Sequence, residues 1–542
     1  MSKPIFFDPD RRRWKRIRRT IDVSVVVLSL LVVFFALTVV RKTNIPKVLL
    51  ADQKKNYRAL KQSEKKPPRK GTHRKTLTPA SQVVLNSGEG IRGAFYVTWD
   101  AASYSSLREY IHQVDFVFPE WLHVLGADGR LQAVRENNTL YYAVNNGHVS
   151  TVDVKLMPLI KSTNAQVDVL PLVNNFDPIV NEWRTDVAQM LQSKDGRERF
   201  RQEVSLFLAS DNYKGLTLDI EGFAPEAQPG YRALIAELAS DLHQHNQKLY
   251  LSVPASNPEF DYAYLSTLAD GLILMNYDQH YPGGAPGAIA GQDWFTQNLV
   301  KALKLIPREK IICAIGNYGY DWTTDAKGKP GMAGVHNVSV QEAWLEARDS
   351  EANIDFDPDM LNPHFTYLDG DNSRHDVWYL DGVTALNQMR AARSLGITTF
   401  ALWRLGSEDR SLWKVWDLPW DKDAPSKLNV VDPGQDVDIE GEGDILRIES
   451  EPSPGTRDIT VDASSLVTNE VFRALPSPYR IGAYGAPGKQ VVISFDDGPD
   501  PQWTPKILDV LKQYNVKATF FTIGLEAEKY PGLLKRIYRE GH

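Results

Sequence analysis

Two stretches of the chain end an apolar run in paired carboxylates. In KGLTLDIEGF, residues 214 to 223, strand side chains would alternate with period two, so Thr217, Asp219 and Glu221 share one face. At that spacing an ionised Asp219 raises the pKa of Glu221 and keeps it protonated, the condition for a general acid. In VVISFDDGPD, residues 491 to 500, the run ends in Asp496 and Asp497, and the Gly498-Pro499 turn lets both reach one site. Two close anions repel unless a cation sits between them, which makes a metal ion their natural partner.

Elements able to position such groups recur along the chain. Short apolar runs begin at 93, 114, 167, 214, 249, 271, 310 and 398, and longer amphipathic segments lie between them. Segments such as GYRALIAELASDLHQHNQ and WFTQNLVKALKLI repeat their apolar residues three or four apart, the spacing of a helix buried on one face. Eight strands alternating with helices over about 330 residues predict a (β/α)8 barrel, whose active site sits at the C-terminal ends of its strands. The stretch between the seventh and eighth runs is much the longest, which predicts an inserted α+β subdomain over about 323–379.

Charge divides the molecule in two. The first 80 residues carry 21 Lys+Arg against 5 Asp+Glu, so the overall charge of −6 leaves −22 for the rest. A basic start on an acidic body argues against nucleic acid as the partner. Val23 to Val40 is an uncharged apolar run of membrane-spanning length preceded by RRRWKRIRRT, which predicts one transmembrane helix with its N-terminus inside. Cys313 is the sole cysteine, so no disulfide can form within the chain and the core alone must stabilise it. The predicted organisation is a basic cytoplasmic N-terminus (1–22), a transmembrane helix (23–40), a basic linker (41–85), the barrel (86–425), an acidic linker (426–488) and a third unit (489–542).

The barrel segment resembles the family 18 glycoside hydrolases, chitinase-like barrels whose fourth strand reads Asp-x-x-Asp-x-Asp-x-Glu. Asp219 and Glu221 occupy the last two positions, while Lys214 and Thr217 stand where the first two aspartates would be. LMNYD is similar to the Met-x-Tyr-Asp of the sixth strand and FALWRLGSED to the eighth. The resemblance implies that Glu221 protonates the glycosidic oxygen while the substrate's own N-acetyl carbonyl attacks the anomeric carbon, an exception to the two-carboxylate scheme. It implies further that Asp219 and Tyr277 orient the acetamido group, that Asp278 lies in the sugar site, and that Trp403 is the aromatic floor under the sugar. No cofactor is implied for the barrel.

SFDDGPD followed by KATFFTIG resembles the polysaccharide deacetylases of the nodulation-protein-B homology group, with Ser494 in place of the usual threonine. That resemblance makes Asp496 the general base for the attacking water and Asp497 a ligand of a divalent metal, usually zinc, whose histidine ligands would lie beyond His542. The third unit is then the first part of a deacetylase-type (β/α) barrel. Together the resemblances imply a bacterial inner-membrane protein whose extracytoplasmic domains act on N-acetylglucosamine polymers. A silent glycan-binding barrel that presents substrate to the deacetylase, or the outer part of a longer polysaccharide synthase, would use the same residues.

Overall fold

The computed structural model describes residues 58–59, 90–135, 139–324, 330–370, 372–417, 421–434, 437–485 and 491–542. These form two compact units, one built from 90–438 with 447–481 and the other from 439–446 with 482–542. The expected membrane span at 23–40 lies outside the described residues. Among the described residues no helix is long and apolar enough to cross a membrane.

In the larger unit all eight anticipated strands form: β1 (Arg92–Val97), β2 (Phe116–Val124), β3 (Leu172–Asn174), β4 (Gly215–Asp219), β5 (Lys248–Pro254), β6 (Gly271–Met275), β7 (Ile311–Gly316) and β8 (Thr399–Trp403). Each pairs in parallel with the next, and β1 pairs with both β2 and β8, so the sheet closes into a barrel. Alternation sorts the side chains of each strand. Leu216, Leu218 and Ile220 pack outward against the helices, while Thr217 and Asp219 take the inward parity. The interior is filled by Phe95, Phe116, Phe118, Leu172, Tyr250, Ile273 and Ile312, capped by the partly buried Tyr277 and Trp403. Gly93 makes room for this filling, because a Cβ there would lie 2.6 Å from the Phe118 ring.

The insertion is larger than expected, running from Gly319 to Tyr379. Strands Gly319–Thr324, Pro330–Val338, Pro363–Leu368 and Arg374–Tyr379 pair antiparallel. Helix Val340–Asp349 packs Trp344 and Ala347 in one cluster with Phe365, Tyr367 and Val377. It begins at a capping box, in which Ser339 Oγ accepts from the Glu342 amide (3.1 Å) and Glu342 Oε2 from the Ser339 amide (2.7 Å). Ser339→Ala is expected to cost about 1 kcal/mol and lower Tm by roughly 2–4 °C in a thermal melt.

The segment expected as an acidic linker departs from that reading. Gly455–Val461 and Val467–Ala474 form a hairpin that belongs to the larger unit, with Arg457 and Val467 fully buried in it. Within it Arg457 and Glu470 are buried against carboxylates and guanidinium, not solvated.

In the smaller unit, strand Ser494–Gly498 lies parallel to Thr519–Thr522, with helix Thr504–Gln513 connecting them and turning Leu508 and Leu511 inward. This is one β–α–β unit, followed by helices Gly524–Lys529 and Pro531–Arg539. Phe521, Leu525 and Val510 remain exposed.

Candidate active site

The polar residues at the top of the barrel come from adjacent strand ends. Asp219 ends β4, and its register partner across the sheet is Asn174, the last residue of β3. Just beyond β4, Glu221 is held by its backbone: its amide donates to Asn175 Oδ1 (2.9 Å) and its carbonyl accepts from Asn175 Nδ2 (2.7 Å). This two-way clamp fixes where the Glu221 side chain starts. Asp219 is buried, and its Oδ1 has no hydrogen-bond partner.

Burial dominates the electrostatics. It holds the Asp219 carboxyl well above the usual range, and the neighbouring Glu221 and Glu120 add to the effect. Glu221 is raised to about 7, first by burial and then by the charge of Asp278, while its hydrogen bond with Asp219 pulls the other way. The expectation that Asp219 raises Glu221 is therefore corrected in its cause. Asp219, itself held well above its ordinary range, donates toward Glu221, and the lift on Glu221 comes from desolvation and Asp278.

Tyr277 and Asp278 follow β6. Tyr277 lies in the same field, its phenol held neutral by burial and by Asp278, Asp219 and Glu221. Its ring is 6.5 Å from that of Trp403 and nearly parallel to it, and Trp403 meets Phe95 edge-on at 5.1 Å. Asp278 adopts a φ of 60° and accepts hydrogen bonds at Oδ1 from Tyr318 and from Tyr320 (3.0 Å). The structure thus brings Asp219, Glu221, Tyr277, Asp278 and Trp403 together. Sequence reasoning missed Asn175, Tyr318 and Tyr320, whose signals were the doubled asparagine ending LVNN and the tyrosines of GNYGY.

Because Asp278 raises Glu221, Asp278→Asn is expected to lower the Glu221 pKa from about 7 by up to about one unit. A reaction needing protonated Glu221 loses activity as pH rises through that pKa. The alkaline limb of kcat/KM should therefore move to lower pH in the variant.

Residues 140–408 match the family model for glycosyl hydrolases family 18. They are a family 18 domain. The structure extends that domain, since β1 and β2 precede the matched span and close the same barrel. The uncharacterized glycosylase YvbX of Bacillus subtilis is 25% identical over 334 residues, covering 59% of this chain and 89% of that protein. A chitinase structure from Chromobacterium violaceum superposes with a TM-score of 0.53 at 23% identity, over 61% of this chain and 99% of that one, which shows the shared fold.

Residues 483–542 match the polysaccharide deacetylase model. A peptidoglycan-N-acetylglucosamine deacetylase of Bacillus cereus is 64% identical over 53 residues, 10% of this chain and 19% of that protein. The chain thus joins a family 18 domain to a fragment of a polysaccharide deacetylase domain, and it is a hydrolase.

Asp496 and Asp497 end the first strand of that fragment, both exposed. The register shifts between Asp496 and Gly498, and Asp497 takes a φ of 64°, so the ladder is interrupted at the second carboxylate. Among the described residues no group of three or more His, Cys, Asp or Glu is gathered to hold a metal ion. Two carboxylates fall short of the three protein ligands that a catalytic zinc takes, so the residues present do not complete such a site.

Proposed function

We propose that the chain acts on N-acetylglucosamine-containing polysaccharide and that its family 18 domain cleaves the glycosidic bond with the help of the substrate's own acetamido group. The observation carrying this reading is the Glu221 carboxyl, poised at about 7 beside Asp219, whose carboxyl is also held well above its ordinary range, and the Tyr277 phenol. Glu221 gives its proton to the glycosidic oxygen as the C–O bond breaks. The acetamido oxygen takes the anomeric carbon, and the resulting ring is opened by water that returns a proton to Glu221.

Asp219 Oδ1 is the buried acceptor without a partner, suited to the acetamido N–H. The Tyr277 hydroxyl would steady the acetamido oxygen, and Trp403 offers an aromatic face to the sugar ring. The deacetylase fragment supports the same substrate class, with Asp496 and Asp497 as the first members of a site that needs further ligands. The apolar run at 23–40 with its basic flank supports a tether to the inner membrane with both domains outside the cytoplasm.

Thr217 favours a second reading, a barrel that binds glycan without cutting it. It is fully buried, and its hydroxyl donates a long hydrogen bond, 3.4 Å to the Leu170 carbonyl. Turnover of chitooligosaccharides and peptidoglycan fragments by the full chain, with glycan affinity measured in parallel, separates the two. Cleavage supports the hydrolase reading. Binding with no product makes the barrel a recognition module.

A further inference from the structure

β2 carries an irregularity that the barrel does not need for closure. Its register against β3 shifts between Glu120 and Leu122, so that Glu120 pairs with Leu172 and His123 with Asn174. Phe116 and Phe118 fill the barrel interior, and Trp121, Leu122 and Val124 pack outward. The bulge thereby leaves both Glu120 and His123 with inward parity, where strict alternation would admit one of them.

Asn174 joins the two. Its Nδ2 donates to Glu120 Oε1 (3.0 Å), and its Oδ1 lies 2.7 Å from His123 Nδ1 and accepts from the Phe176 amide (3.2 Å). The amide can sit only one way round, since turning it over would set its oxygen against the carboxylate. Asn174 is also the register partner of Asp219. Three adjacent strands thus supply Glu120, Asn174 and Asp219 in sequence across the barrel mouth.

Thr217 completes the argument. Leu172 of β3 is the register partner of Glu120 on one side and of Thr217 on the other, so both stand at one level of the barrel. Strands two apart are about 10 Å from each other, and a glutamate carries its carboxylate one methylene further than an aspartate would. We propose that Glu120 is the carboxylate that works with Asp219 in this barrel, a positioning residue acting from β2 in place of an acid at position 217. The inference rests on the hydrolase reading above.

Its negative charge favours the protonated form of Asp219 and so keeps that side chain as the donor toward Glu221. Besides Glu120, the groups facing Asp219 are Glu221 after β4, Tyr231 on helix Gln228–Gln244 and Tyr277 after β6, while His123 on β2 is bound to Asn174 and Asp278 acts on Glu221. Glu120 is the one that position 217 can replace at its own level.

The test uses the full chain as wild type, Glu120→Gln, Thr217→Asp and the double variant. Glutamine keeps the acceptor for Asn174 and removes the charge. The expected result for Glu120→Gln is a fall in kcat of about tenfold or more, KM within about twofold, and an alkaline limb displaced by about half a unit or more. Adding Thr217→Asp should recover most of that loss. A Glu120→Gln profile that overlays wild type overturns the proposal, as does a double variant that melts like wild type yet recovers nothing. If the double variant melts lower, the single variant's profile decides. If wild type itself turns nothing over, the hydrolase reading fails separately. The Asp219 carboxyl, followed by NMR in 13C-aspartate protein against Asp219→Asn, then reads Glu120 directly: a lower Asp219 pKa in Glu120→Gln supports the proposal, and an unchanged one overturns it.

Discussion

Glu221→Gln is expected to reduce turnover of N-acetylglucosamine oligomers by at least about 10²–10⁴-fold while glycan affinity stays within about threefold of wild type. Glutamine has nearly the same shape and keeps the backbone clamp to Asn175, which involves only the Glu221 amide and carbonyl. What it lacks is a proton to give. The leaving oxygen must then depart as an alkoxide, and the water that completes the reaction loses its base. On the proposed reading the sugar is held by Trp403, Tyr277 and Asp219, which the substitution leaves in place. Stability moves in a direction that a surface glutamate would not show. The folded-state pKa of Glu221 is raised from 4.5 to about 7, so the folded chain holds a proton that the unfolded chain releases between those values. Wild-type stability therefore falls as pH rises through that window, and the glutamine variant escapes the loss. The Tm of Glu221→Gln minus that of wild type should grow from pH 4 to pH 8. Cleavage retained in the variant would remove Glu221 from the chemistry.

The sequence carried the barrel well because parallel strands buried on both faces read as apolar runs, and eight of them in alternation with amphipathic helices leave few other architectures. The pair Asp219 and Glu221 was legible for the same reason, as charge at the end of such a run. What escaped depends on register. Glu120 continues the inward parity of Phe116 and Phe118, but it sits in VDFVFPEWLHV beside a tryptophan and looks like one polar residue in a strand, and only the bulge at 120–122 turns His123 inward beside it. A one-residue slip changes the face of everything after it, and nothing local in the sequence marks where the slip occurs. Tyr318 and Tyr320 lie where β7 leaves the barrel for the insertion, and their hold on Asp278 reaches back about 40 positions along the chain. Composition misled at 455–474. The acidic, Gly/Pro-punctuated run that leads into it reads as solvated because charged side chains are seldom buried unless paired, and pairing is a property of the fold.

Arg457 is where that pairing matters most. It is fully buried, as are Asp381 and Asp409, and Glu470 is nearly so. Its Nη1 donates to Asp381 Oδ2 (3.0 Å) and Glu470 Oε1 (2.9 Å), its Nη2 to Asp409 Oδ2 (3.0 Å) and Ser411 Oγ (2.7 Å), and its Nε to the Leu428 carbonyl (2.7 Å). Arg457→Met keeps the volume and removes the one cation among three carboxylates. Breaking a buried pair from one side costs about 3–5 kcal/mol, because the remaining charge is stranded in a medium that cannot solvate it. At roughly 2–4 °C per kcal/mol the melting temperature should fall by about 10 °C. Arg473→Ala in the same hairpin provides the contrast. Its pair with Asp458 is two-thirds exposed on both sides, and its loss should leave the melt unchanged. The effect of Arg457 should also reach the chemistry. Asn317 donates to the Asp381 carbonyl (2.8 Å) and accepts from the Asp409 amide (2.7 Å), and the next residue, Tyr318, holds Asp278, whose charge adds to burial in raising the Glu221 pKa. Below its melting point, Arg457→Met should therefore show an altered alkaline limb in kcat/KM as well as lower stability. A variant that melts early yet keeps the wild-type pH profile would confine Arg457 to holding the hairpin on the barrel.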